Sequence, residues 1–443
     1  MKFSKQLIAC AVAAGLAAPM SAFATNGYFA HGYSAKNKAL GGGGSALPQD
    51  AMIAADNPAG MVKVGKRMDL GLTLFSPSSR GYKADNPVGT PVADSFILEA
   101  GNFESDNDFF LIPHFAYNWV INEKSTVGVT VYGNGGMNTE YNASMYTFVP
   151  PSPPNPPLST GTYYGGTAGV NLEQLFTNVS YSRKINEKHS WGVSAILAYQ
   201  TFEAKGLSTF GTFGFSSEPT KLTDKGADTS MGYGLKLGWL GEVSPGLSLA
   251  ASYQSKMSMD EFSDYAGLFA EQGGFDIPST WTLGLAWKLA KTGTLTFDIQ
   301  QIMYSDVASI SNPFLPNLQT SSLGNSDGAG FGWEDMTIYK LGYQWATSPT
   351  WTWRVGASIG DNPIPSSEVV FNIIAPGVME THITGGFTYT MASDNEITFA
   401  AMYAPESTVS GNNPLAAGSG TATQNVELYM SQWELTASWG LKF

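Results

Sequence analysis

The last fifteen residues, Tyr429 to Phe443, alternate between two chemical faces. Tyr429, Trp433, Leu435, Ala437, Trp439, Leu441 and Phe443 fall on one side, with Ser431 the only interruption. Met430, Gln432, Glu434, Thr436, Ser438, Gly440 and Lys442 fall on the other. A period of two makes this a strand. An ordinary edge strand does not end on its largest apolar residues at an open C-terminus. A strand with lipid on one side and a polar lumen on the other does.

The pattern recurs upstream. Trp281, Leu283, Leu285, Trp287 and Leu289 oppose Thr282, Gly284, Ala286 and Lys288. Trp351, Trp353, Val355, Ala357 and Ile359 oppose Thr352, Arg354 and Ser358. Tight turns are expected at 122–124, 186–188, 244–246, 291–293, 348–349 and 393–394. Long connections are expected at 77–107, 139–171, 207–225, 261–277, 308–333, 364–378 and 405–424. Short turns on one side and long loops on the other are the asymmetry of outer-membrane barrels. The expected fold is all-β: a transmembrane antiparallel β-barrel of about 14 strands over residues 65–443. A soluble β-sandwich also alternates, but with shorter strands and fewer aromatics beside its turns.

Composition agrees. Aromatic residues make 13% of the chain and charged residues only 13%, about half the usual charged share of soluble domains. Residues 1–24 read as a secretory signal peptide, with Lys2 and Lys5, an apolar stretch from Leu7 to Leu16, and Ala22-Phe23-Ala24 before the cut. The single cysteine, Cys10, falls inside that leader, so no thiol chemistry is expected of the mature chain. The formal net charge of −13 becomes −15 once Lys2 and Lys5 are removed, which argues against a nucleic-acid partner.

Residues 25–64 do not read as a strand. Gly41 to Gly44 and the small residues Ala51, Ala54, Ala55 and Ala59 suit a compact hatch, or plug, inside the lumen. A plug blocks free diffusion, which favours a solute needing a path other than an open channel. A porin for small polar solutes is the alternative reading.

Asp56-Asn57-Pro58-Ala59-Gly60, Gly32-Tyr33-Ser34, Gly41 to Ser45 and Asp50-Ala51 resemble the hatch of the FadL/TodX family of outer-membrane transporters for long-chain fatty acids and other hydrophobic compounds. Tyr132-Gly133 with Thr139-Glu140-Tyr141-Asn142, Thr296 to Gln300 with Tyr304-Ser305, Gly356 to Pro365 and the terminal Phe443 are similar to that family too. The resemblance implies passive uptake of hydrophobic molecules through a plugged barrel, with a sideways exit at an inward kink of the third strand. It places a gate at Asn57, Pro58 and Ala59, in a turn meeting the wall near that kink.

Gly133, Asn134, Gly135 and Gly136 interrupt a strand begun by Val127, Val129 and Val131. Glycine there marks a bend or bulge, or the end of the strand. Tyr28 and Phe29 are expected to line an apolar pocket or to pack the plug. Phe262, Tyr265, Leu268 and Phe269 are spaced for one short amphipathic helix at an external capture groove. Met145, Tyr146 and Phe148 are further groove candidates, beside a proline-rich run from Val149 to Pro157. Lys288, Asp298, Lys340, Arg354 and Glu434 are expected to face the lumen, as an ion-pair network or as a holder for a ligand carboxylate.

His31, His114, His189 and His382 lie in no catalytic or metal-binding motif, so neither an enzyme nor a metal nor a cofactor is expected. The expected partners are a hydrophobic small molecule, outer-membrane lipid and lipopolysaccharide, and the barrel-assembly machinery through Phe443. The chain is expected to be a monomer in the bacterial outer membrane.

Overall fold

The computed structural model describes residues 26–149, 158–289 and 291–443. The leader, with Cys10, and the prolines of 150–157 lie outside the described residues.

Fourteen long strands form the wall. They are β1 (Arg67–Ala84), β2 (Phe110–Asn122), β3 (Ser125–Asn138), β4 (Gly169–Lys184), β5 (His189–Lys205), β6 (Asp228–Ser244) and β7 (Leu247–Gln254), followed by β8 (Thr280–Lys288), β9 (Gly293–Ile302), β10 (Met336–Ala346), β11 (Trp351–Gly360), β12 (Thr381–Thr390), β13 (Glu396–Asn412) and β14 (Asn425–Lys442). Each pairs antiparallel with its sequence neighbours, and β14 pairs with β1 from Arg67↔Lys442 to Ala84↔Val426. That seam closes the cylinder, as strands in hydrocarbon require. Short strands Gly101–Glu104 and Ser258–Met259 add to β1 and β6.

The alternation sorts residues as the sequence requires. Leu72, Leu197, Leu235, Trp353, Leu435 and Trp439 are uncovered by protein on the outside. Thr73, Ser194, Lys236, Arg354, Glu434 and Thr436 are buried inside. All six tight turns fall between paired strands at one end.

Two long loops start later than expected, because β1 continues to Ala84 and β13 to Asn412. Pro77 and Pro405 read as strand ends because proline gives no ladder hydrogen bond. Each instead sits in a bulge, between Ser76 and Ser79 on β1 and between Ala404 and Ser407 on β13. Both bulges flank the same stretch of β14, Met430 to Trp433. A bulge absorbs the extra residue and lets pairing resume.

Residues 26–64 pack against the inner faces of strands around the cylinder. Helical turns Ala35–Lys38, Ile53–Asp56 and Pro58–Lys63 are joined by glycine-rich loops. The first contacts β12, β13 and β14, and the last contacts β3 to β6. Ions and caps fix the rest. Lys36 Nζ lies 2.6 Å from Glu396, and Lys38 Nζ 2.8 Å from Glu434. The Gly44 and Ser45 N–H groups both donate to Asp298 Oδ2 at 2.9 Å.

Candidate functional site

The β2–β3 ladder is incomplete. It runs from Asn122↔Ser125 to His114↔Tyr132 and stops there. The chains rejoin only where Asp106 N–H donates to the Glu140 carbonyl at 2.9 Å and Glu140 N–H donates to Ser105 Oγ at 2.9 Å. Between these points, residues 107–113 face 133–139 without strand pairing, leaving a window in the wall.

Gly133 to Gly136 therefore continue the strand rather than end it. β3 keeps its pairing with β4 past a register shift between Gly133 and Gly135, with Asn134 as the extra residue. On its free side the bent stretch pairs inward. Ala30 N–H donates to the Asn134 carbonyl at 2.7 Å, and Gly136 N–H donates to the Tyr28 carbonyl at 2.8 Å. A Cβ on Gly135 would stand 1.7 Å from the Tyr28 oxygen, so only glycine permits this approach. The Asn134 side chain is buried between Tyr33, whose hydroxyl donates to Oδ1 at 3.0 Å, and Gln174, which accepts from Nδ2 at 3.0 Å. Gln174 then donates to Gln200, and Gln200 to the Phe275 carbonyl at 2.8 Å.

Tyr28 and Phe29 lie behind the bend in a buried aromatic cluster. The Tyr28 ring lies 5.2 Å from Phe29, 5.4 Å from Tyr304, 6.0 Å from Trp333 and 6.2 Å from Phe275, centroid to centroid. Tyr304 donates its hydroxyl to the Asn26 carbonyl at 2.6 Å. From the long-loop side, the segment between β11 and β12 folds inward, with Val369 to Ala375 all buried. Thr139, Tyr141 and Tyr163 hold its carbonyls at Ile374, Ile373 and Val370, at 2.7, 2.9 and 2.8 Å. Tyr304 is marked in the sequence only as part of a family-like motif, and Trp333, Phe275 and residues 369–375 are not singled out there. They come from distant loops and carry no local signature.

Asn57, Pro58 and Ala59 meet the wall, but not at the bend. Asn57 Oδ1 accepts from Ala59 N–H at 3.1 Å, and Nδ2 donates to the Trp239 carbonyl at 3.0 Å. The Ala59 carbonyl accepts from Ser190 Oγ at 2.8 Å and Ser182 Oγ at 3.2 Å. Gly192 and Gly238 make room, since a Cβ at either would strike Pro58 or Asn57. These contacts lie on β4, β5 and β6 toward the tight turns. The expectation that this turn meets the wall near the bend is thus corrected: Tyr28 to Ala30 do so instead.

Phe262, Tyr265, Leu268 and Phe269 are buried rather than open to an external groove. Nor do they form one amphipathic helix. A 3-10 turn at Ser263–Tyr265 is followed by a separate turn at Ala270–Gly273, where Glu271 and Gln272 adopt positive φ. The aromatic spacing satisfies a core, because Phe202 gathers Phe262, Tyr265 and Phe269 within 5.6, 4.9 and 4.6 Å. Tyr146 is buried against Phe103 at 4.4 Å, whereas Phe148 is exposed.

Of the expected lumen charges, Asp298, Lys340, Arg354 and Glu434 are buried and bind residues 26–64. Lys340 donates to the Gly42 carbonyl at 3.1 Å, and Arg354 to Gln49 Oε1 at 2.7 Å. Lys288 is the exception, exposed beside a tight turn. Only the Lys38–Glu434 contact among these is an ion pair; the lumen's ionic network is built instead by Lys36, Arg67, Asp69, Glu396 and Lys442.

A closed barrel with a filled lumen and a gap in the ladder beside its third strand has the architecture of an outer-membrane transporter. The chain belongs to the family of outer membrane protein transport proteins, OMPP1/FadL/TodX, whose profile matches residues 11–443. The long-chain fatty acid transport protein of Salmonella typhi is 23% identical over 441 residues, covering 90% of this chain and 91% of that protein. The fold is shared with the toluene transporter TbuX of Ralstonia pickettii, at a TM-score of 0.61 and 18% identity over 93% of this chain and 99% of that one. It is shared with a FadL homologue of Pseudomonas aeruginosa, at 0.66 and 14% over 94% and 100%. Family members are transport channels, so this chain is a transporter of the outer membrane and not an enzyme.

Proposed function

We propose that this protein takes up long-chain fatty acids or hydrocarbons by passive diffusion, past the aromatic cluster around Tyr28 and sideways through the β2–β3 window into the membrane. One observation carries the reading: the ladder is missing between 107–113 and 133–139 while residues 26–64 occupy the lumen. An apolar solute crossing a wet pore would forgo about 25 cal/mol for each Å² of its surface left in water. A side exit past exposed Phe109 and Leu111 spares it that path. Fatty acid and toluene transport by the relatives named above supports the substrate class.

On this reading residues 1–24 are the signal peptide, 25–64 the hatch and 65–443 the barrel. Asn57, Pro58 and Ala59 anchor the hatch. Gly133, Asn134, Gly135 and Gly136 shape the exit, and Tyr28 and Phe29 line the pocket. Phe262, Tyr265, Leu268 and Phe269 form the apolar body beneath the capture surface. Lipid and lipopolysaccharide surround the wall, and the assembly machinery reads Phe443, which is 54% exposed at the tight-turn end.

The test is mass spectrometry of ligands extracted from the purified protein, together with conductance in planar bilayers. Bound fatty acid or hydrocarbon with negligible ion and glucose flux is expected. Free passage of glucose would overturn the reading.

A further inference from the structure

A polar cavity of 210 Å³ opens on the outside of the wall at the long-loop end of the window, lined by Asn107, Asn138, Glu140, Asn171, Glu203 and Lys205. The register puts this lining on the outer face. Asn138 pairs with Asn171 and Asn171 with Glu203, while their chain neighbours Leu172, Phe202 and Ala204 are buried on the inner side. Glu140 continues that face beyond β3, since Thr139 turns inward to the Ile374 carbonyl.

The rows beneath set its level in the membrane. Leu175 of β4 pairs with Tyr199 of β5, and exposed Val179 and Leu197 lie below them. The next outward rows, Glu173 with Thr201 and Asn171 with Glu203, are polar, and Lys205 follows. An apolar band that gives way to polar residues past an aromatic marks the edge of the hydrocarbon. The cavity therefore lies at the head-group level of the outer leaflet.

Its chemistry suits hydroxyl groups. Asn138 Nδ2 donates to Asn171 Oδ1 at 2.9 Å, and Asn171 Nδ2 to Glu173 at 3.2 Å. Asn138 Oδ1 is buried with no hydrogen-bond partner among the described residues, a cost that a donor from a guest would remove. Lys205 is spent on Glu140 at 3.1 Å and lies 4.0 Å from Glu203. Asp106 and Asp108 are exposed close by. This acidic surround disfavours a bare phosphate, whereas a sugar hydroxyl both donates to and accepts from such a lining.

The window lies directly below. The chains meet at Asp106 and Glu140, and 107–113 then face 133–139 unpaired. Phe109 and Leu111, exposed at 66% and 52%, form the outer lip. An amphiphile seated by its head at Asn171 runs its tail toward the bilayer middle, over that lip.

We infer that this cavity holds the sugar head group of an outer-leaflet glycolipid, lipopolysaccharide, whose acyl chain lies across the mouth of the window. The exit then opens onto a resident lipid tail. This rests on the window of the transport reading, but not on the identity of what passes through it.

The test measures lipid retained by the purified protein in a sugar-free detergent after addition of lipopolysaccharide or phosphatidylethanolamine. Preferential retention of lipopolysaccharide is expected. With Asn171→Leu and Glu203→Leu combined, that retention should fall about tenfold through lost hydrogen bonds, and phosphatidylethanolamine should be unaffected. Asn138→Leu should act in the same direction, and serves if the double variant does not fold. The single cysteine, Cys10, lies in the leader, so Leu111→Cys gives the exported chain one thiol for labelling. A benzophenone attached there should crosslink to lipopolysaccharide, with lower yield in the double variant. Equal retention of the two lipids, undiminished lipopolysaccharide in a folded variant, or no crosslink at residue 111 would overturn the proposal. None of these outcomes alters the bound-ligand and conductance results that test transport, so the two readings fail separately.

Discussion

The Tyr33 hydroxyl donates to Asn134 Oδ1 at 3.0 Å, so the extra residue of the third-strand bulge is held by the N-terminal segment. With the Ala30 and Gly136 backbone bonds beside it, this contact makes the bend a property of two segments together. Movement of Tyr28 to Tyr33 and a change in window shape are therefore one event.

Gly135→Val tests that coupling. Its added atoms collide with the Tyr28 carbonyl, and overpacking of this kind costs about 1–3 kcal/mol. The barrel ladders are untouched, so heat-modifiable mobility on gels should persist. Uptake of labelled fatty acid should fall severalfold. Normal uptake would show that the bend can form without this contact.

Asn57→Ala removes the turn cap at Ala59 and the bond to the Trp239 carbonyl. Cap losses cost about 1 kcal/mol. The expected result is a looser N-terminal segment, read as new single-channel conductance in planar bilayers. A silent bilayer trace would separate this turn from gating.

Phe269→Ala should damage the loop core more than the wall. Truncating a buried phenylalanine costs about 3–5 kcal/mol, and Phe269 packs on Phe202, Phe262 and Phe275. Limited proteolysis should cut within 255–279 faster, while the barrel melting temperature stays constant. Equal protease resistance would contradict the packing described.

Glu368 provides a pH test outside the wall strands. Burial raises its carboxyl above the usual range, although it accepts from Phe314 N–H at 2.8 Å and from Ser367 Oγ at 2.9 Å. A carboxyl raised in the folded state is more easily protonated there than in the unfolded chain. Its contribution is complete below the unfolded value and fades as pH rises through the folded one. Residues 361–380 should resist protease better in mild acid than at neutral pH, and Glu368→Gln should flatten that difference.

The barrel was legible because lipid reverses the usual outside without disturbing the period of two. Trp351, Trp353 and Val355 therefore announced their face before any contact was known. Pro77 and Pro405 concealed strand length, since a ladder that resumes beyond a bulge looks locally like a strand that ends. The glycines at 133–136 signalled a bend, but its partner at Tyr28 to Ala30 could not be read from spacing about one hundred residues away. Phe262 to Phe269 misled for a related reason: apolar spacing reveals that a segment is covered on one side, but not by what.

Glu396 on β13 touches Lys36, Arg67 of the first strand and Lys442 of the last, at 2.6, 3.0 and 2.7 Å. One carboxylate thus joins the beginning of the wall, its end and its contents. During biogenesis these three cations converge on it only when the final hairpin docks. Zipping the cylinder shut therefore also ties its filling to both ends of the wall, in addition to the anchors that Asp298, Lys340 and Arg354 supply from earlier strands.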